Sequence, residues 1–290
     1  MNSAAARELS APTTVDDKPK SPPARRELLS RHQRWRTTGL QPGPDAAQSR
    51  LEGTWYGACK MALEWVFAAV LLVAAAPVII VAGILTRLTS RGPMFYSQIR
   101  VGRNGKLFTI YKIRTMVNNC EKQSGAKWAT ADDPRITWLG KALRKTHLDE
   151  LPQLINVLRC DMGLVGPRPE RPEFMPALER AVPHYRDRLL VRPGVTGLAQ
   201  VQLPADTDME SVRRKLAYDL YYITHTGFWL DVRLILCTAI HMVGVPYHTI
   251  GRVFRLPGRE TVEHAYSKRV VGAAESQRLL ETVALQSAPA

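Results

Sequence analysis

From Trp65 to Thr86 the chain carries no charge at all. That run passes the roughly 18 apolar residues that mark a membrane segment, and a core helix of this length would keep a polar face. Pro77 stands near its middle, where it deletes a backbone hydrogen bond and kinks a helix. Arg50 and Lys60 precede the run and Arg87 and Arg91 follow it, so basic residues give no direction across a bilayer. A bent hairpin that enters and leaves by one face fits both facts, and a kinked full span is the other reading. Tyr56 and Trp65 suit an interfacial anchor.

Downstream the period changes. Residues 93–114 hold two β-rich runs around Asn104-Gly105, a pair that favours a hairpin turn. Lys112 and Arg114, two apart on the second strand, share one face, either a solvated edge or an anion site. Residues 117–134 are polar and loop-like. A helix is expected next, with Leu139, Leu143 and Thr146 on one side and Lys141, Arg144 and Lys145 on the other. Leu148, Leu151, Leu154, Ile155 and Leu158 then recur at helical spacing. Arg192-Pro193-Gly194 signals a turn into a short strand over 195–201, and residues 208–225 read as an amphipathic helix bearing Tyr218, Tyr221 and Tyr222. A last apolar stretch, 228–245, is interrupted by Asp231, Arg233 and His241. Those residues make a span costly and an interfacial helix the better expectation. Beyond Arg255 the chain is polar and is expected to be loosely ordered.

Charge narrows the partners. Forty Lys and Arg against 26 Asp and Glu give a formal +14, which asks for nucleic acid, an anionic membrane face or phosphorylated substrates. The cations are scattered and no nucleic-acid reader motif is present, so nucleic acid is set aside. Cys59, Cys120, Cys160 and Cys237 lie far apart. Their spacing argues against a structural zinc site, offers no disulfide framework and points to a reducing compartment. Residues 1–50 hold no apolar run and read as a disordered basic extension, whose Arg31, Arg34, Trp35 and Arg36 could rest on anionic lipid or simply be solvated.

The candidate chemistry lies in Asp149-Glu150, at the start of the striped segment from Leu148. Acidic residues there can serve as caps or dipole partners, and Pro152 is tolerated in a first turn. Adjacent helical side chains diverge by about 100°, so the two carboxylates cannot share a proton face to face. They can divide labour instead, one as a nucleophile toward phosphorus and the other as a metal ligand. The helix N-terminus adds free N–H groups for phosphate. Arg168, between Pro167 and Pro169, has little backbone freedom and is preorganised for phosphate, with a structural salt bridge as the plain alternative. Asp161 either closes the helix or orients Arg168.

These residues resemble the bacterial sugar transferases, the monotopic phosphoglycosyl transferases that load undecaprenyl phosphate. The resemblance covers roughly residues 60–245. It rests on ordered blocks: the apolar segment with Pro77, Gln98-Ile99-Arg100-Val101-Gly102, Lys112-Ile113-Arg114-Thr115-Met116, Leu143 to Gln153, Gly166-Pro167-Arg168-Pro169, Arg192-Pro193-Gly194-Val195-Thr196-Gly197, and Lys215-Leu216-Ala217-Tyr218-Asp219-Leu220-Tyr221-Tyr222. Ala76 stands before Pro77 where the family often has Ser, and Cys160 and Gly163 replace its usual Gly and Ser.

The resemblance implies an α+β, mainly helical fold: a small cytosolic catalytic domain anchored by a re-entrant helix-break-helix segment and interfacial amphipathic helices. Residues 1–50 would be the extension, 51–90 the membrane-associated helix, 91–250 the catalytic domain and 251–290 a polar tail. Asp149 would be the nucleophile on a UDP-sugar, expelling UMP, and Glu150 would hold Mg²⁺. Arg168, Lys112, Arg114 and Arg144 would bind phosphate, and Pro77 would mark the membrane break. Undecaprenyl phosphate would accept the sugar phosphate at the inner (cytoplasmic) membrane, among membrane lipids, in the first membrane step of exopolysaccharide, capsule or O-antigen synthesis. A homo-oligomer is compatible with this. The alternatives are a non-catalytic membrane-tethered scaffold and a glycosyltransferase that releases UDP.

Overall fold

A computed structural model describes residues 54–121, 133–204, 208–245 and 247–286, and the N-terminal extension lies outside them. The uncharged run belongs to one helix, α1 (Trp55–Thr89), capped by the Thr54 hydroxyl, which accepts from Gly57 N at 3.0 Å. The helix begins ten residues before the uncharged run and continues through Pro77, which corrects the helix-break-helix expected there: losing one backbone hydrogen bond does not end the helix. Tyr56, Glu64, Ala68, Ile79, Ala82, Gly83 and Thr86 are buried, a stripe at helical spacing along the whole helix. The opposite face exposes Val66, Val70, Val73, Ile80, Val81 and Leu88. One side of α1 thus packs on protein from end to end, and the other is apolar and uncovered.

The expected hairpin forms. Strands β1 (Phe95–Val101) and β2 (Leu107–Ile113) pair antiparallel, with Tyr96 opposite Lys112. Asn104 and Gly105 both take positive φ, 54° and 74°, which is why this pair makes the turn. Helix α2 (Trp138–Lys145) follows, started by Thr137, and buries Leu143. The segment from Leu148 is a 3₁₀ turn (Leu148–Gln153) before it becomes helix α3 (Leu154–Leu158). Pro152 explains this, because it has no N–H for an α-type bond and disfavours the α conformation at Leu151.

Two very short strands, β3 (Gly163–Val165) and β4 (Gly194–Thr196), pair in parallel. Helix α4 (Met175–Ala181) and a 3₁₀ turn (Tyr185–Leu190) lie between them. A Cβ on Gly194 would sit 2.1 Å from the Gly166 nitrogen, and one on Gly166 would sit 2.4 Å from the Arg192 carbonyl oxygen. Only glycine lets the two backbones approach this closely. Where the sequence suggested strand over 195–201, extended structure stops at Thr196 and α5 (Leu198–Gln202) begins.

The core lies between the hairpin, α3, β3, α5, α6 (Met209–His225) and α7 (Phe228–Met242). The polar tail expected after Arg255 is corrected: after α8 (Tyr247–Val253), residues Arg259–Gln286 form helix α9. Val262 and Tyr266, one turn apart, are buried, and the Arg213 guanidinium of α6 lies 5.7 Å from the Tyr266 ring centroid. Arg269 pairs with Asp187 at 3.0 Å. Val270, one turn further on, packs on the same core, so Val262, Tyr266 and Val270 dock the helix at i, i+4 spacing.

Candidate active site

Three elements converge on the acidic pair. The 3₁₀ turn carries Asp149 and Glu150, both buried, and its start is set by His147 in the left-handed region. The cap position is His147 and no side chain caps this turn, so neither acid serves as an N-cap. Strand β2 packs on the turn and delivers Lys112, whose Nζ donates to Glu150 Oε1 at 2.6 Å. The loop after β3 delivers Arg168, whose Nη2 donates to the same oxygen at 2.7 Å. Arg144, from α2, donates through Nε to Thr115 Oγ1 at 2.9 Å, and its charge acts on both acids.

The two carboxyls differ sharply. Burial pushes Glu150 up, but the Arg168 and Lys112 charges outweigh it and hold the carboxyl well below the usual range. Glu150 is therefore an anion already neutralised by two cations. Asp149 is pushed up to about 6, first by burial and then by the Glu150 charge, against the pull of Lys112, Arg144 and Arg168. Among the described residues the Asp149 carboxylate has no hydrogen-bond partner. Nothing ties up its oxygens, and it faces the same cations as Glu150.

Lys112, Arg144, Asp149, Glu150 and Arg168 are brought together as expected. Arg114 is not among them. It is buried, with Nε donating to the Pro93 carbonyl at 2.7 Å and Nη2 to the Ser90 carbonyl at 2.7 Å; Nη1 donates to Ser90 Oγ at 2.9 Å. It thus fastens the chain leaving α1, and has no donors directed at phosphate. The Arg114 N–H still donates to the Met94 carbonyl at 3.0 Å, next to the last pair of the hairpin, but here the strand runs beside the end of α1, whose carbonyls take the guanidinium. Replacing Arg114 by Met should lower stability by about 2–3 kcal/mol through orphaned carbonyls. Thermal unfolding would read this, and an unchanged midpoint would contradict it. Asp161 pairs with Arg159 at 3.6 Å rather than with Arg168. Pro77 is exposed within α1, apart from the acidic cluster.

The sequence reading missed a second polar cluster. Lys60 of α1 donates to Glu64 Oε1 at 2.6 Å and to Asp231 Oδ2 of α7. Tyr222 donates to Asp231 Oδ1 at 2.8 Å, and Tyr56 donates to Oδ2. In the sequence Asp231 counts only as an interruption that favours an interfacial helix over a span; it is buried against α1. Its signal was Lys60 and Glu64 at i, i+4, placed where a membrane helix should carry no ions.

The family model described as "Bacterial sugar transferase" matches residues 55–244. The chain belongs to the bacterial sugar transferase family. That match runs from the first turn of α1 to the end of α7 and includes every residue of the acidic cluster. The chain is 40% identical over 183 residues to the UDP-N-acetylgalactosamine-undecaprenyl-phosphate N-acetylgalactosaminephosphotransferase of Aeromonas hydrophila, covering 63% of this chain and 43% of that protein. It is 41% identical over 183 residues to the UDP-glucose:undecaprenyl-phosphate glucose-1-phosphate transferase of Caulobacter vibrioides, covering 62% and 67%. A putative undecaprenyl-phosphate N-acetylgalactosaminyl 1-phosphate transferase of Bacillus subtilis is 47% identical over 134 residues, covering 46% and 74%. The chain thus spans less than half the length of the Aeromonas relative.

Proposed function

We propose that this chain transfers a hexose 1-phosphate from a UDP-sugar to undecaprenyl phosphate, releasing UMP. The observation that carries the reading is Asp149: a buried carboxylate with free oxygens, surrounded by Lys112, Arg144 and Arg168. In the first step an Asp149 oxygen bonds to the sugar-bearing phosphorus while the bond to the UMP oxygen breaks. In the second, an oxygen of undecaprenyl phosphate bonds to the same phosphorus and frees the Asp149 carboxylate. Lys112, Arg144 and Arg168 stabilise the charge that spreads over the phosphoryl oxygens.

Glu150 and Asp149 offer hard oxygen donors, and no third carboxylate, His or Cys joins them among the described residues in a metal-binding group. That donor set suits Mg²⁺, which completes its shell with water and substrate phosphate. Glu150 would hold the ion by exchanging its bonds to Lys112 and Arg168 for it, and the ion would offset the charge of the diphosphate.

The membrane reading follows from α1. A helix of 35 residues is about 52 Å long, and its buried stripe runs nearly end to end along the domain that holds Asp149. If the helix crossed the roughly 30 Å hydrocarbon core, that domain would be drawn in with it. This supports a monotopic placement, with the domain on the cytosolic face of the inner membrane; α1 runs unbroken through Pro77, so a helix break there is no part of this reading. The exposed Trp55 and Trp229, which flank Phe228 at ring-centroid distances of 5.8 and 5.2 Å, suit the interface.

The test is nucleotide release from a panel of UDP-sugars by detergent-solubilised protein with Mg²⁺, with and without undecaprenyl phosphate. UMP from one sugar, with turnover dependent on the lipid, is the expected result and names the sugar. Release of UDP would replace this reading by a glycosyltransferase, and no release from folded protein would favour the scaffold.

A further inference from the structure

The Pro167-Arg168-Pro169 loop is pinned carbonyl by carbonyl. The Pro167 carbonyl accepts from Gly194 N at 3.0 Å, that of Pro169 from Arg100 Nη1 at 3.0 Å, and that of Arg168 from Arg188 Nη2 at 2.8 Å. Arg100 and Arg188 are both charged donors, and Arg188 is the more deeply buried. Arg188 is 4% exposed and lies in the 3₁₀ turn Tyr185–Leu190. Its Nη1 donates to Tyr185 Oη at 2.7 Å, and its Nη2 lies 2.7 Å from Asp219 Oδ2 of α6, also buried.

Two arguments make this more than packing. First, proline fixes φ at 167 and 169, and the freedom that remains at residue 168 includes ψ, which sets the direction of its carbonyl. A hydrogen bond to that carbonyl removes it. Second, a buried ion pair returns little net stability compared with an apolar pair of the same volume. Stability alone therefore does not call for Arg188 and Asp219 here. The planar guanidinium, held by Asp219 and Tyr185, offers a further donor to the Arg168 peptide with little freedom left.

We propose that Arg188, held by Asp219 and Tyr185, is a positioning residue that fixes the Arg168 backbone and so aims the Arg168 guanidinium at substrate phosphate beside Glu150. Arg188 contacts neither acid of the pair and works only through Arg168. The proposal rests on the transferase reading for the identity of the phosphate, as a UDP-sugar.

A double-mutant cycle tests it, using Arg188→Lys, Arg168→Ala and the double variant in the full chain. Each is read by UMP release and by calorimetric binding of UDP with Mg²⁺. Arg188→Lys should raise KM and weaken UDP binding about 10-fold, and should lose nearly all of that effect once residue 168 is alanine. Equal effects in both backgrounds would overturn the proposal, since a merely structural role does not depend on the Arg168 side chain. If Arg188→Lys fails to fold, Tyr185→Phe, which removes only the hydroxyl holding Nη1, carries the same cycle with a smaller effect. Wild-type protein that binds UDP but releases no UMP would sink the transferase reading while the binding cycle still decides this one. Wild-type protein that binds no UDP would overturn both.

Discussion

Asp149→Asn should lower turnover by at least about 10⁴-fold, the scale seen when a catalytic side chain at the reacting centre is removed, and should leave the fold at least as stable as wild type. Asparagine nearly matches aspartate in shape but cannot form the phosphosugar ester. The stability half of the prediction follows from the direction of the pKa. The folded-state value, about 6, lies above the ordinary carboxylate value, so ionising Asp149 above that pH costs the folded state. An uncharged side chain removes the cost, and the melting temperature at pH 7.5 should hold or rise. A capping role would give the opposite result, a loss of about 1 kcal/mol. The same direction fixes the pH profile. The carboxylate is the reactive form, so the rate of UMP release should climb with pH through about 6 and then level. A rate that fell over that range, or an active Asn variant, would remove Asp149 from the chemistry.

The second large effect concerns the fold. Lys60→Met would leave Glu64 and Asp231 buried without their cation, and should cost about 3–5 kcal/mol. The loss should appear as a lower unfolding temperature in detergent and as easier proteolysis between α1 and the domain. Adding Asp231→Asn to Lys60→Met should recover part of it, because one unpaired charge disappears. A single variant as stable as wild type would mean that water reaches these carboxylates and that the cluster is no anchor.

The contrast between the two polar clusters shows what the sequence could reveal. The acidic pair was legible because Asp149, Glu150 and Arg168 lie close in sequence, between prolines and a helical stripe that limit where they can point. Lys112 was legible because strand period places it, and Asn104-Gly105 fixed the hairpin that carries it. Strand period put Arg114 beside Lys112 but did not say which partner it would meet, and the carbonyls at the end of α1 took it. Lys60 and Asp231 are 171 residues apart, and only the packing of α1 on α7 shows that they meet. Arg188 and Asp219 were equally hidden as a pair, since only the packing of the 3₁₀ turn Tyr185–Leu190 on α6 shows that they meet. In α9, Val262, Tyr266 and Val270 recur every four residues, but what decides that the helix docks is the apolar surface of the core they meet, which the local sequence does not show.

The uncovered face of α1 has a kinetic consequence. If that face rests on a bilayer, as proposed above, the lipid acceptor arrives by lateral diffusion in a plane, while the nucleotide sugar arrives from the volume of water. For the reaction proposed above, the acceptor concentration that matters is a mole fraction in the membrane. Diluting vesicles at fixed lipid composition should leave the acceptor term of the rate unchanged, whereas adding inert phospholipid to the same vesicles should lower it.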